Sequence, residues 1–206
     1  RFSFPWLFDL MESEGVQRLQ LGSSFEMYQL PDAFFIELRE QASERGVRID
    51  SVFTSHRELG GFFRAEPGFA EVARTNAQQL IRIGALLGSE RAGWNPGAVV
   101  RDQIDFKSQG WERFSREFLA LRRFALAEGM KALTLEPMSC TAEPPTTTAE
   151  IRQMASELGQ SSSELAEFGY CFDIAHGYCD EQGNVMEDHF QLFEAASPWI
   201  REVHLK

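Results

Sequence analysis

The chain has 206 residues, 43% hydrophobic and 25% charged, which are ordinary values for one globular domain whose core needs no disulfides. No apolar run is long enough to span a membrane, and the opening RFSFPWLFDLMESEG is acidic and lacks the basic flank of a signal peptide. Lys and Arg total 20 against 31 Asp and Glu, a formal charge of −11 that repels nucleic-acid phosphates and argues against a nucleic-acid partner.

The first residue is not Met, so an amino terminus further upstream is expected. The three cysteines, Cys140, Cys171 and Cys179, include no CxxC pair. Free thiols in a reducing compartment, the cytoplasm, are the natural reading, with Cys171 packed as a small hydrophobe in a strand.

Taken in order, Phe4 to Glu14 has helical spacing (Trp6, Leu7, Leu10, Met11) and stops at Gly15. VQRLQLG reads as a short strand. Asp32 is predicted to cap the helix AFFIELREQASER, which ends at Gly46. VRIDSVFTSH reads as a strand and PGFAEVARTNAQQLIRIGALLG as an amphipathic helix closed by Gly88. SERAGWNPG is a weak strand signal. WERFSREFLALRRFALAEG is a helix ended by Gly129, and KALTLEPMS a strand. TTTAEIRQMASELG is a helix with Thr at its start. FGYCFDIAHG reads as a strand, EDHFQLFEAAS as a helix and IREVHLK as a strand.

This alternation calls for parallel strands joined by crossover helices, in an open doubly wound sheet or a closed barrel. No GxGxxG or GxxxxGKS/T loop supports the nucleotide-binding open sheet. Instead His56, Asn95, Glu136, Asp173, His176 and His204 sit at or just beyond strand carboxyl ends, the end where a barrel does its chemistry. The prediction is therefore a single α/β domain over residues 1–206, a (β/α)8 TIM barrel. Six strands follow the first helix. A full barrel needs one more before it and one after His204, so the first and eighth strands are expected to lie outside this sequence.

Three segments carry the chemistry. In LTLEPMS, Glu136 follows an apolar strand and precedes Pro137; alone it reads as an exposed strand-end Glu. In CFDIAHG, Asp173 ends a strand with His176 three residues on, which also fits an Asp capping a turn. In REVHLK, Glu202 and His204 point to the same face, and a lone strand histidine is more often a core residue than a ligand. Together they offer Glu, Asp and His from three successive parallel strands. Oxygen and imidazole donors suit a divalent cation: Mn, Mg, Co or Zn. Such a cation polarises an α-hydroxy ketone, and a nearby carboxylate moves the proton.

LTLEPMS, YCFDIAHG and REVHLK, in this order, resemble the metal-binding strands of the xylose-isomerase-like barrel superfamily, the sugar phosphate isomerases and epimerases. The resemblance implies that Glu136, Asp173 and His204 are metal ligands, with Glu136 also catalytic, and that His176 touches substrate or a second metal. The family's remaining ligand, a Glu on the eighth strand, falls after the last residue here. His56, Asn95 and Arg101 are expected to contact substrate. Arg57 and Arg64 are phosphate ligands or solvated surface, and Lys107 is expected on the surface. Trp6, Trp94 and Phe62 are sugar walls or core, Glu143 a lid contact, and His189 structural or surface.

The expected activity is a metal-dependent isomerase or epimerase of a small ketose or sugar phosphate. The alternatives are an AP-endonuclease-type phosphodiesterase, a dehydratase using the same metal chemistry, and a non-catalytic sugar-binding barrel. Beyond the sugar, the partner expectations are no nucleic acid and no membrane. A homo-oligomer is allowed, but no interface is legible.

Overall fold

The computed structural model describes residues 2–23, 25–55, 60–180 and 182–205; His56 and Arg57, expected near substrate, lie outside the described residues. The elements run α1 Phe4–Ser13, β1 Arg18–Gly22, α2 Asp32–Glu44, β2 Arg48–Thr54, α3 Pro67–Leu86, β3 Arg91–Trp94 and α4 Lys107–Ala127. They continue with β4 Ala132–Leu135, α5 Thr148–Leu158, β5 Glu167–Asp173, β6 Tyr178–Cys179, β7 Val185–Glu187, α6 His189–Ala196 and β8 Ile200–His204. Six strands form one parallel sheet in the order β1-β2-β3-β4-β5-β8, each linked to the next by a helix, while β6 and β7 make a small antiparallel hairpin.

The sheet is curled into a half-barrel. Gln20 on the first strand donates Nε2–H to Glu202 Oε1 on the last, at 3.0 Å, so side chains from the two outermost strands meet across the concave face. The convex face carries the hydrophobic core. Leu21, Val52, Ala92, Leu133, Leu135, Tyr170 and Phe172 point outward beneath the helices. Trp94 belongs to this set: it is 1% exposed and its ring packs 5.7 Å from Phe118 of α4. Phe62 is likewise fully buried, against Phe114. Both are core, not walls for a sugar. Trp6 is exposed on α1, stacked on Phe2.

The concave face is polar, and two irregularities set its register. Leu19 pairs with Ile49 but Gln20 with Ser51, leaving Asp50 as an extra residue; Tyr170 pairs with Ile200 but Cys171 with Glu202, leaving Arg201 extra. Such bulges re-aim the side chains that follow. Here they align Gln20, Cys171, Asp173, Glu202 and His204 on the inside. Asp50 is held beside its bulge by Arg18 (2.9 Å) and Arg48 (2.5 Å). The same face needs a glycine. A Cβ at Gly93 would lie 2.2 Å from Thr134 Oγ1 and 2.7 Å from Phe53 Cδ2, so only a residue without one lets both side chains turn inward.

Some predicted boundaries shift. Asp32 is the first residue of α2 rather than its cap; extended Pro31 occupies the cap position, and Asp32 instead places a carboxylate in the first turn. α4 begins at Lys107, preceded by a 3-10 turn at Arg101–Phe106. Lys107 is tied to Glu150 rather than free on the surface. The β6–β7 hairpin was not expected, because strands of two and three residues carry no readable periodicity. No helix among the described residues is long and apolar enough to cross a membrane.

Candidate metal centre

Glu136, Asp173 and His204 stand at, or one residue past, the carboxyl ends of β4, β5 and β8, and all turn into the half-barrel. Glu136 is 4% exposed and Asp173 1%. The Asp173 carboxylate shapes its own turn. Ala175 N–H donates to Asp173 Oδ1 (2.9 Å) and His176 N–H to the Asp173 carbonyl (3.1 Å), which folds His176 back over the strand end. Glu136, Asp173 and His176 each offer a ligand atom within 4.8 Å of the others. His204 joins the cluster through Glu136, with Nδ1 at 3.3 Å from Oε1. Its ring also meets the edge of Phe53, with centroids 4.8 Å apart.

The two imidazoles share one arrangement: one nitrogen is committed to a fixed partner, and the other faces a carboxylate. His176 Nδ1 is 2.7 Å from the Pro137 carbonyl, which can only accept, so that nitrogen carries the proton. Nε2 then presents its lone pair toward Asp173 Oδ2, 3.8 Å away. His204 has Nε2 against Gln20 Oε1 at 2.7 Å and Nδ1 toward Glu136. Glu136 holds the His204 imidazole above its ordinary pKa, overcoming the opposing effect of burial. In a neutral ring, Nδ1 and the carboxylate are two acceptors facing each other, an arrangement that needs a cation between them, either a proton or a metal ion. Two carboxylates with two imidazoles are a fitting donor set for a divalent ion.

The cavity in front of these groups measures about 440 Å³ and is lined by Gln20, Ser23, Phe53, Asn95 and Met138 in addition to the cluster. Asn95 is buried one residue past β3. Its Nδ2 contacts Met138 Sδ at 2.9 Å, and its Oδ1 has no hydrogen-bond partner among the described residues. Arg101 is not in this cavity. It lines a neighbouring cleft with Ser139, Thr141, Cys179 and Asp180. Arg64 lies over the Phe69 ring, 4.2 Å from its centroid, and beside Glu66. Glu143 is buried, and His189 opens α6 with its ring against Phe190.

Two groups in the site escaped the sequence reading. Gln20 bridges His204 and Glu202. Cys171 faces inward, 3.3 Å from His204 Nε2, rather than packing among hydrophobes. Burial pushes its thiol above the ordinary range, which favours the neutral thiol over a thiolate nucleophile.

Residues 8–206 match the family described as the xylose isomerase-like TIM barrel. The chain belongs to that family. No curated protein matches the sequence, but solved structures share the fold. A candidate xylose isomerase from Rhodospirillum rubrum superposes with a TM-score of 0.85 at 15% identity, over 98% of this chain and 71% of its own. D-psicose 3-epimerase from Clostridium cellulolyticum gives 0.78 at 14% identity, over 99% of this chain and 68% of its own. The 3-keto-D-glucoside 4-epimerase YcjR of E. coli gives 0.71 at 12% identity, over 99% and 74%. At these identities the likeness is one of fold. Membership of the xylose isomerase-like family confirms the barrel class expected from the alternating elements.

Proposed function

We propose that this protein is a metal-dependent isomerase or epimerase acting on a small ketose or sugar phosphate. One observation carries the reading: two buried carboxylates and two imidazoles converge at the carboxyl-end mouth of the half-barrel. Solved structures of the same fold that are named for sugar isomerisation and epimerisation support the substrate class. Three free cysteines agree with a cytoplasmic setting.

Glu136, Asp173 and His204 would hold the ion, with His176, whose ligand atom lies within 4.8 Å of those of both carboxylates, beside it. Once bound, the ion supplies Lewis-acid polarisation of the ketose carbonyl and hydroxyl oxygens. The remaining roles fall to the chain. Glu136 accepts the proton from the carbon beside the carbonyl and, in isomerisation, returns it to the neighbouring carbon; epimerisation would need a second proton donor on the opposite face of the substrate. The His176 Nε2 lone pair accepts a sugar hydroxyl, as does Asn95 Oδ1. Arg101, in the adjoining cleft, would reach a phosphate or distal hydroxyls of a longer substrate.

The test is solvent deuterium incorporation into tetruloses, pentuloses and hexuloses, free and phosphorylated, with added Mn²⁺ or Co²⁺. Carbon-bound deuterium next to the carbonyl, lost in Glu136→Gln, is expected. No exchange across the panel would overturn the proposal, and loss of water from the substrate would redirect it to a dehydratase.

A further inference from the structure

We infer that Gln20 is a positioning residue: it determines which nitrogen of His204 keeps its proton, and so which one is free to bind a cation. The inference rests on the metal-site reading above, but its first step does not depend on any ion.

Glu202 has a side chain that is 8% exposed. Thr134 Oγ1–H donates to its Oε2 at 2.9 Å, and Arg91 lies 3.5 Å from Oε1. A carboxylate that takes the Thr134 hydroxyl and faces a guanidinium is set up as a hydrogen-bond acceptor. The Gln20 amide must therefore turn its NH2 toward Glu202, where it sits at 3.0 Å. That leaves the amide oxygen facing the other way, 2.7 Å from His204 Nε2. The oxygen has no proton to give, so His204 Nε2 must be the donor. The Cys171 sulfur also faces Nε2, at 3.3 Å, but sulfur is a weak acceptor and adds little.

The consequence falls on Nδ1. With the ring proton on Nε2, a neutral His204 keeps its lone pair on Nδ1, the nitrogen aimed at Glu136. Glu136 pulls the other way: left alone with the ring, its carboxylate would draw the proton onto Nδ1 and hide the ligating nitrogen. Gln20 opposes that pull. Carboxylate or carbonyl partners on the far nitrogen serve many metal-bound histidines in this way. In this chain the partner is an amide from the opposite end of the sheet, itself oriented by a charge one layer down.

The test is long-range ¹⁵N–¹H correlation NMR of the metal-free protein with the ring deprotonated, alongside calorimetric titration with Mn²⁺. Wild type should show His204 protonated at Nε2. Gln20→Leu should shift the proton toward Nδ1 and weaken Mn²⁺ about ten- to a hundred-fold. Because that variant strands a lone pair of Glu202, a second one exchanges the pair. Gln20→Glu with Glu202→Gln keeps an acceptor on Nε2 and a donor between the two side chains, and should restore both readouts. An Nδ1–H tautomer in wild type overturns the inference, as does a Gln20→Leu protein with unchanged tautomer and affinity. Nε2–H in wild type without Mn²⁺ binding would leave the tautomer control standing and overturn the metal reading instead.

Discussion

Gly93→Ala tests the packing that holds the site together. The new methyl would be 2.2 Å from Thr134 Oγ1 and within 2.9 Å of two Phe53 ring carbons. Neither neighbour moves freely, because Phe53 contacts His204 and Thr134 donates to Glu202 at 2.9 Å. Overpacking of this kind costs about 1–3 kcal/mol, and weakening a hydrogen bond to a charged group costs about 1.5–3 kcal/mol in full. Because the chain relaxes partly, about 3 kcal/mol is expected. For a domain of this size that lowers Tm by about 6–12 °C, measurable by circular dichroism. Gly68→Ala, in α3 with nothing within 4 Å of the new Cβ, serves as control and should be neutral or stabilising by about 0.5 kcal/mol. Thr134→Ala removes the closest obstacle, so the double variant should be less damaged than the two single costs combined, by about 1 kcal/mol. A Gly93→Ala cost under about 1 kcal/mol, or strict additivity with Thr134→Ala, would refute this account of the interior.

Three further outcomes are expected. Arg122 is 1% exposed and donates to the backbone carbonyls of Ala166, Leu158 and Gln160, tying the end of α5 to the loop before β5. Arg122→Met should cost about 3 kcal/mol in urea unfolding, with Arg122→Lys recovering little because a single ammonium cannot span all three acceptors. Arg74 of α3 grips Glu117 of α4 with two bonds of 2.7 and 2.8 Å and holds its carboxyl below the usual range. The pair thus adds stability above the carboxylate range that is lost as pH falls through the lowered pKa; wild type should exceed Arg74→Gln by about 1 kcal/mol at pH 7 and by nothing near pH 2. Asp173→Asn, which removes one of two neighbouring carboxylates, should abolish the rise in Tm with Mn²⁺ while leaving the metal-free Tm equal or higher.

The barrel class was legible because the first four helices each announce their end with a glycine at positive φ. Gly88 and Gly129 sit at φ +72° and +87°, where the chain leaves a helix and turns into the next strand. The chemistry-bearing side chains were legible for a related reason: Glu136 meets a proline and His176 a glycine where a strand leaves the sheet. For Trp94, left open between sugar wall and core, the sequence holds a signal that decides for the core. If Asn95 faces the mouth, its neighbour must face the helices, since strand side chains alternate. Gln20 carried none. A neutral amide inside a short strand has no motif, and its role comes from the curl that brings β1 to β8 and from bulges at Asp50 and Arg201 that no propensity encodes. Those are tertiary facts, fixed by closure of the sheet rather than by any local run of residues.

The concave face holds buried carboxylates in two layers, and their fates differ for a physical reason. Glu202 is compensated in place: a hydroxyl, an amide N–H and a guanidinium surround it, so its charge is satisfied within the fold. One layer up, Glu136 and Asp173 face imidazoles that have already given one nitrogen to Pro137 or Gln20. What those rings offer the carboxylates when neutral is lone pairs, not protons. A buried carboxylate facing another acceptor is unfavourable unless a positive charge sits between them. The lower layer is thus scaffolding, and in the upper layer the Glu136 carboxylate facing His204 Nδ1 is the contact that a cation would relieve. The upper layer is also the one that lines the cavity.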